Sequence, residues 1–176
     1  LTNPENEVVK KRAFGSDPAL VISMASAFAK GLEEQGVCPV YKHFPGHGGT
    51  SADTHEGYAY VDKTIEELEG LDLIPFREVI NNGAKVIMVA HISLPNVTGN
   101  DTPASMSPEI ITDLLRTRLQ YDGLVVTDAL NMGAVTSQYS SAEAAVQTIL
   151  AGSDLILMPD NFEEAYQGVL HAVEDG

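Results

Sequence analysis

Residues 84–91 read AKVIMVAH: a short run, apolar except for Lys85, that closes on a histidine. A continuous apolar stretch of this length fits a strand covered on both faces, as in a parallel sheet, although periodicity alone also allows a short buried helix. Three further runs share the pattern: VCPVYKHF at 37–44, LVVTD at 124–128 and DLILMP at 154–159. Segments of helical length lie before, between and after them, at 18–35, 71–82, 108–120, 142–151 and 162–173. Asp17 and Ser107, each followed by proline, read as N-caps with proline at the first helical position. Gly36 and Gly83 close the first two segments, where a left-handed residue turns the chain into the next strand.

Strand onsets near 37, 85, 124 and 155 lie 48, 39 and 31 residues apart, spacings that suit successive crossover units of a parallel α/β domain. Two architectures meet this pattern, a doubly wound open sheet and a section of an eight-stranded barrel. The complete barrel needs about 250 residues, so the length of 176 favours the open sheet. Both place ligands at the C-terminal ends of the strands, which is where His43, His91 and Asp128 fall.

Lys and Arg total 10 against 25 Asp and Glu, for a formal charge of −15. Such a surface repels phosphate backbones and has no basic footprint, which argues against nucleic-acid binding. Cys38 is the only cysteine, so an intrachain disulfide and any four-cysteine metal site are excluded. No apolar run approaches the ~18 residues of a membrane span, and the N-terminus, LTNPENEVVKK, lacks a secretory signal pattern. The chain opens on Leu1 rather than methionine, as a processed or excised piece would, and the expected parent is either cytoplasmic or exported.

The richest chemistry lies at 42–55, KHFPGHGGTSADTH, which holds three of the five histidines. Pro45, Gly46, Gly48 and Gly49 impose a shaped loop able to fold over the strand ends. One reading is a solvated polar loop. A second is a zinc site from His43, His47, His55 and either Asp53 or Asp128, which the cations of Lys42 and Arg12 oppose. The glycines match neither common phosphate-binding pattern. In a third reading Asp53 orients His55 and favours its protonation, giving a proton donor and acceptor near neutral pH. Asp128, on a rigid strand end, suits either a turn-capping role or attack on an electrophilic carbon. Asn131 is placed to brace it.

Five stretches in order, RAFGSDP (12–18), KHFPGHGGTSADTH (42–55), VIMVAH (86–91), LVVTDALNM (124–132) and AAVQTILAGSDLILMP (144–159), resemble glycoside hydrolase family 3, specifically its bacterial β-N-acetylglucosaminidase branch. The likeness covers essentially the whole chain. It implies an α/β fold that is part of a TIM (β/α)8 barrel, strands four to seven with flanking helices, and so replaces the open sheet favoured by length. Residues 1–176 would then be a fragment of the catalytic barrel, without the upstream units and the final unit, and closure would need the missing portion or a partner chain.

The resemblance further implies retaining exo-hydrolysis of terminal β-linked N-acetylglucosamine, in muropeptides of the bacterial cell wall, with no cofactor and no metal. Asp128 matches the family nucleophile, His55 the acid/base of a mobile loop and Asp53 its orienting partner. Arg12, Lys42 and His43 match residues that hold sugar hydroxyls. His47, His91, Asn131 and Met132 are expected behind or beside them. Two positions depart from the family pattern: Ala129 stands where a second aspartate usually follows Asp128, and Gly49 gives GGT where GDT is common. The alternatives are a family 3 β-glucosidase, an N-acetylglucosaminide phosphorylase and a degenerate carbohydrate-binding protein.

Overall fold

A computed structural model describes residues 6, 9, 12–50 and 59–176. Helix α1 (Pro18–Glu33) starts where the sequence predicts, with Asp17 extended and its carboxylate accepting the Leu20 N–H at 2.8 Å. Gly36, at φ +74°, turns the chain out of it. Strand β1 (Val40–Phe44) follows, three residues later than the apolar run begins. Pro39 has no N–H to offer a ladder, so pairing starts after it, and Val37 is left outside the strand.

A 3₁₀ turn (His47–Gly49) and strand β2 (Ala59–Tyr60) lead to helices α2 (Ile65–Gly70) and α3 (Leu73–Asn81). Next come β3 (Val86–Val89), β4 (Ile92–Ser93), the single-turn α4 (Pro95–Thr98), a 3₁₀ turn (Ala104–Met106) and a π-helix (Glu109–Arg118). The last part holds β5 (Leu124–Ala129), α5 (Gly133–Thr136), α6 (Ser141–Ala151), β6 (Leu155–Leu157) and α7 (Phe162–Asp175).

Ser107 does not cap the π-helix as expected. Its hydroxyl donates to Glu109 Oε2 at 2.6 Å, and the Ser107 carbonyl takes the Ile110 and Ile111 N–H groups instead. A carboxylate two residues on offers the hydroxyl a charged acceptor, a stronger partner than a neutral one. Elsewhere the sequence holds caps that go beyond the proline signals. Thr64 with Glu67, and Ser140 with Glu143, form capping boxes at α2 and α6.

The four long strands form one parallel sheet in the order β1-β3-β5-β6, and β2 pairs with β4 in a separate parallel pair. Register is continuous between β3 and β5, from Val86 opposite Leu124 to Val89 opposite Thr127. The central strands are covered on both faces, with Ile87, Val89 and Val125 fully buried among Ile111, Leu115 and Phe44. Burying each such side chain contributes roughly 1.5–3 kcal/mol. The outer strands pair on one side only, and Val40 in β1 and Leu155 in β6 stay 42% and 48% exposed.

The N-terminal ends of the strands are tied by Arg116 from the π-helix. Its guanidinium donates to the Gly123 carbonyl and, at 2.6 Å, to Asp154 Oδ2, which also accepts the Val125 N–H at 2.7 Å. Entry into β5 and entry into β6 are thereby fixed to one cation, at the end of the sheet away from His43, His91 and Asp128.

Candidate active site

The end of β1 carries Lys42 and His43, and the Lys42–His43 and Phe44–Pro45 peptide bonds are cis. Gly46 then takes φ +140°, and a Cβ built there would lie 2.9 Å from Asp72 Cβ, so both the turn and the close approach call for glycine. Asp72 is buried and paired with Lys63. Beyond the turn, His47 is buried beside the Thr50 hydroxyl, 3.0 Å from its Nδ1, and the Asn6 amide donates to the His47 carbonyl at 3.1 Å. The His43 and His47 rings meet edge to face, with centroids 5.8 Å apart.

Asp128 projects from the end of β5. Its Oδ1 accepts the Ala129 N–H at 2.9 Å, and its Oδ2 lies 3.5 Å from His43 Nε2. Burial pushes the His43 pKa down to about 4 despite the opposing pull of Asp128, and Lys42, His47 and Arg12 add to the lowering. At neutral pH the arrangement is therefore a neutral imidazole against a carboxylate, which leaves the negative charge on Asp128 available to a ligand. Thr127, one residue back, is buried in the sheet, where its Oγ1 accepts the Leu157 N–H at 3.0 Å.

His91, just beyond the end of β3, is fully buried. Its Nε2 lies 3.0 Å from the Ala129 carbonyl and its Nδ1 2.7 Å from Ser105 Oγ. A carbonyl oxygen only accepts, so Nε2 carries the proton and Nδ1 accepts the Ser105 O–H. Burial, the largest influence, lowers the His91 pKa, in keeping with a neutral ring.

Arg12, Lys42, His43 and His47 line one cavity of about 370 Å³ that runs between α1 and α3 and is walled by apolar side chains including Phe28 and Phe76. Asp128 does not line it; the carboxylate meets it through His43. Asn131 is exposed, its backbone N–H bonded to the Met158 carbonyl, and Met132 is buried at the start of α5. Asp53 and His55 lie outside the described residues. Among the described residues, no group of three or more His, Cys, Asp or Glu side chains is arranged to hold a metal ion. No motif marks Ser105, which is 14 residues from His91 along the chain and reaches it through the tertiary fold.

Residues 1–176 match the glycosyl hydrolase family 3 N-terminal domain. The chain belongs to glycosyl hydrolase family 3. Among curated relatives, it is 41% identical over 160 residues to the beta-hexosaminidase LpqI of Mycobacterium tuberculosis, an alignment covering 88% of this chain and 40% of LpqI. A solved family 3 β-N-acetylglucosaminidase from Paenibacillus sp. str. FPU-7 superposes with a TM-score of 0.95 at 41% identity, over 99% of this chain and 34% of that one. The β-glucoside phosphorylase BglX superposes with a TM-score of 0.93 at 32% identity, over 99% of this chain and 33% of its own. The chain thus spans about two fifths or less of these relatives' length. Among the described residues, no helix is long and apolar enough to cross a membrane.

Proposed function

We propose that the protein carrying this chain is a retaining exo-β-N-acetylglucosaminidase acting on terminal β-linked N-acetylglucosamine, as in cell-wall muropeptides. The observation that carries this reading is the Asp128 carboxylate at the end of β5, held at one oxygen by its own backbone and facing a neutral His43 at the other. Likeness to a beta-hexosaminidase and to a β-N-acetylglucosaminidase supports the sugar class.

Asp128 attacks the anomeric carbon while His55, oriented by Asp53, protonates the leaving oxygen; the glycosidic bond breaks and an ester to Asp128 forms. His55 then takes a proton from water, whose oxygen displaces Asp128 at the same carbon, so configuration is retained over the two steps. Arg12, Lys42 and His43 hold sugar hydroxyls as charge develops on the ring. His47 stabilises the loop beside His43, Asn131 braces Asp128 and Met132 lies at the edge of the site. The barrel is completed by polypeptide outside residues 1–176, this chain supplying strands four to seven.

A second reading, phosphorolysis, is favoured by the likeness to BglX, with inorganic phosphate taking the place of water. Incubating the full-length protein with an aryl β-N-acetylglucosaminide, with and without phosphate, separates the two: free sugar is the expected product, and a sugar phosphate formed at the expense of hydrolysis assigns the phosphorylase. Asp128→Ala is expected to abolish the covalent intermediate and to lower kcat by at least about a thousand-fold. Ordinary turnover in that variant overturns the nucleophile assignment.

A further inference from the structure

The backbone of Ala129 is tied at both of its polar groups. Its N–H goes to Asp128 Oδ1 at 2.9 Å, and its C=O takes His91 Nε2–H at 3.0 Å together with the Met132 N–H at 3.2 Å. His91 in turn is held by the Ser105 hydroxyl at 2.7 Å, and the Ser105 N–H is bonded to the Ala90 carbonyl at 3.1 Å. Both His91 and Ser105 are fully buried, so neither side chain has a solvent-exposed alternative to this geometry. Ala129 is where β5 ends, and its register with β6 shifts between Val126 and Ala129. The irregularity thus falls just before the residue whose N–H is aimed at the carboxylate, and pairing resumes there with Leu157.

We infer that His91, with its tautomer set by the Ala129 carbonyl and its ring held by Ser105, is a positioning residue that fixes the Ala129 peptide and through it the rotamer of Asp128. The inference rests on the reading of Asp128 as the nucleophile. His91 has no direct part in the chemistry: its Nε2 proton is committed to a backbone carbonyl, and its Nδ1 lone pair to a hydroxyl. Rigid support matters here because small misplacements of a reacting group are costly, about 100-fold for a shift of 1 Å.

The test uses the full-length protein and two substitutions. Glutamine can present an amide N–H where His91 Nε2 lies, whereas asparagine reaches only as far as Nδ1. His91→Asn is expected to lower kcat by about 10- to 100-fold with KM changed less than about threefold. His91→Gln is expected to stay within about fivefold of the unaltered protein. Thermal unfolding of each variant shows whether lost turnover follows lost fold. If His91→Asn does not fold, His91→Gln alone decides: a folded Gln variant that has lost more than about tenfold in kcat overturns the inference, as does a folded Asn variant with unchanged kcat. Nitrogen-15 spectra of the imidazoles provide a readout independent of turnover. His91 is expected as the neutral Nε2–H tautomer at neutral pH, and a mixed-tautomer or protonated ring there removes the premise. Absence of glycosidase turnover in the unaltered protein, or full turnover in Asp128→Ala, instead defeats the reading of the site.

Discussion

His43 is the side chain at which the electrostatics of the site can be read most directly. Its ring is 12% exposed, faces Asp128 Oδ2, and stays neutral because burial outweighs the pull of that carboxylate. In the unfolded chain the imidazole titrates at its ordinary value near 6.5, and in the folded protein at about 4. Between those values the unfolded state binds more protons, so stability is lost as pH falls from about 6.5 towards about 4. Replacing His43 with glutamine removes this contribution. Urea unfolding at pH 7.5 and pH 4.5 is expected to show a smaller loss of stability for His43→Gln than for the unaltered protein, and an equal loss would argue against a buried neutral ring. The sequence made His43, His91 and Asp128 visible as polar ends of apolar runs. It did not reveal that His43 would meet Asp128 while His91 would turn to the backbone, because that division depends on strand order and on Ser105, both set by tertiary packing.

The elements show where local chemistry suffices and where it does not. Asp17–Pro18 announces α1 because cap and proline act within a single turn, and the side chain does take the Leu20 N–H. Ser107–Pro108 looks the same in sequence, yet Glu109 captures the hydroxyl. The late start of β1 follows from Pro39, whereas β2, β4 and α4, each only two to four residues long, carry no periodicity from which to be read. The π winding of the helix at Glu109–Arg118 has no signature in its amphipathic pattern either. The loop after β1 allows a sharp comparison between neighbouring glycines. Gly46→Ala forces a left-handed φ on a residue whose Cβ presses on Asp72, and is expected to cost about 1–3 kcal/mol. Gly49→Ala, whose Cβ meets only the Lys63 terminus at 3.6 Å among the described residues and whose φ is ordinary, is expected to be neutral or to stabilise by up to about 1 kcal/mol. Chemical denaturation of the two variants checks the contrast, and similar effects at both sites would contradict the account of the turn.

The molecule as a whole is a sheet with two outer strands and apolar surface beside each. Val37 and Val40 lie at one side, and Leu155, Met158, Phe162 and Tyr166 at the other, all at least 42% exposed. Unpaired edges and uncovered apolar side chains favour association. Residues 1–176 produced alone are therefore expected to bind a hydrophobic dye and to sediment above 18.8 kDa with increasing concentration. A monodisperse species of 18.8 kDa at all concentrations would contradict this. The parallel α/β character was legible in sequence because the strands are built on mostly continuous apolar runs. Length alone pointed to an open sheet, and the described strands form an open four-stranded one; its place in a closed barrel belongs to the proposed reading.

The Arg116 tie beneath β5 and β6 bears on how such a domain can change over evolutionary time. Anchorage and chemistry occupy opposite rims of the same strands, so exchanging side chains at the upper rim does not disturb what secures the lower one. A frame divided in this way can be refitted for new acceptors or leaving groups by small steps, each taken without first unfastening the scaffold.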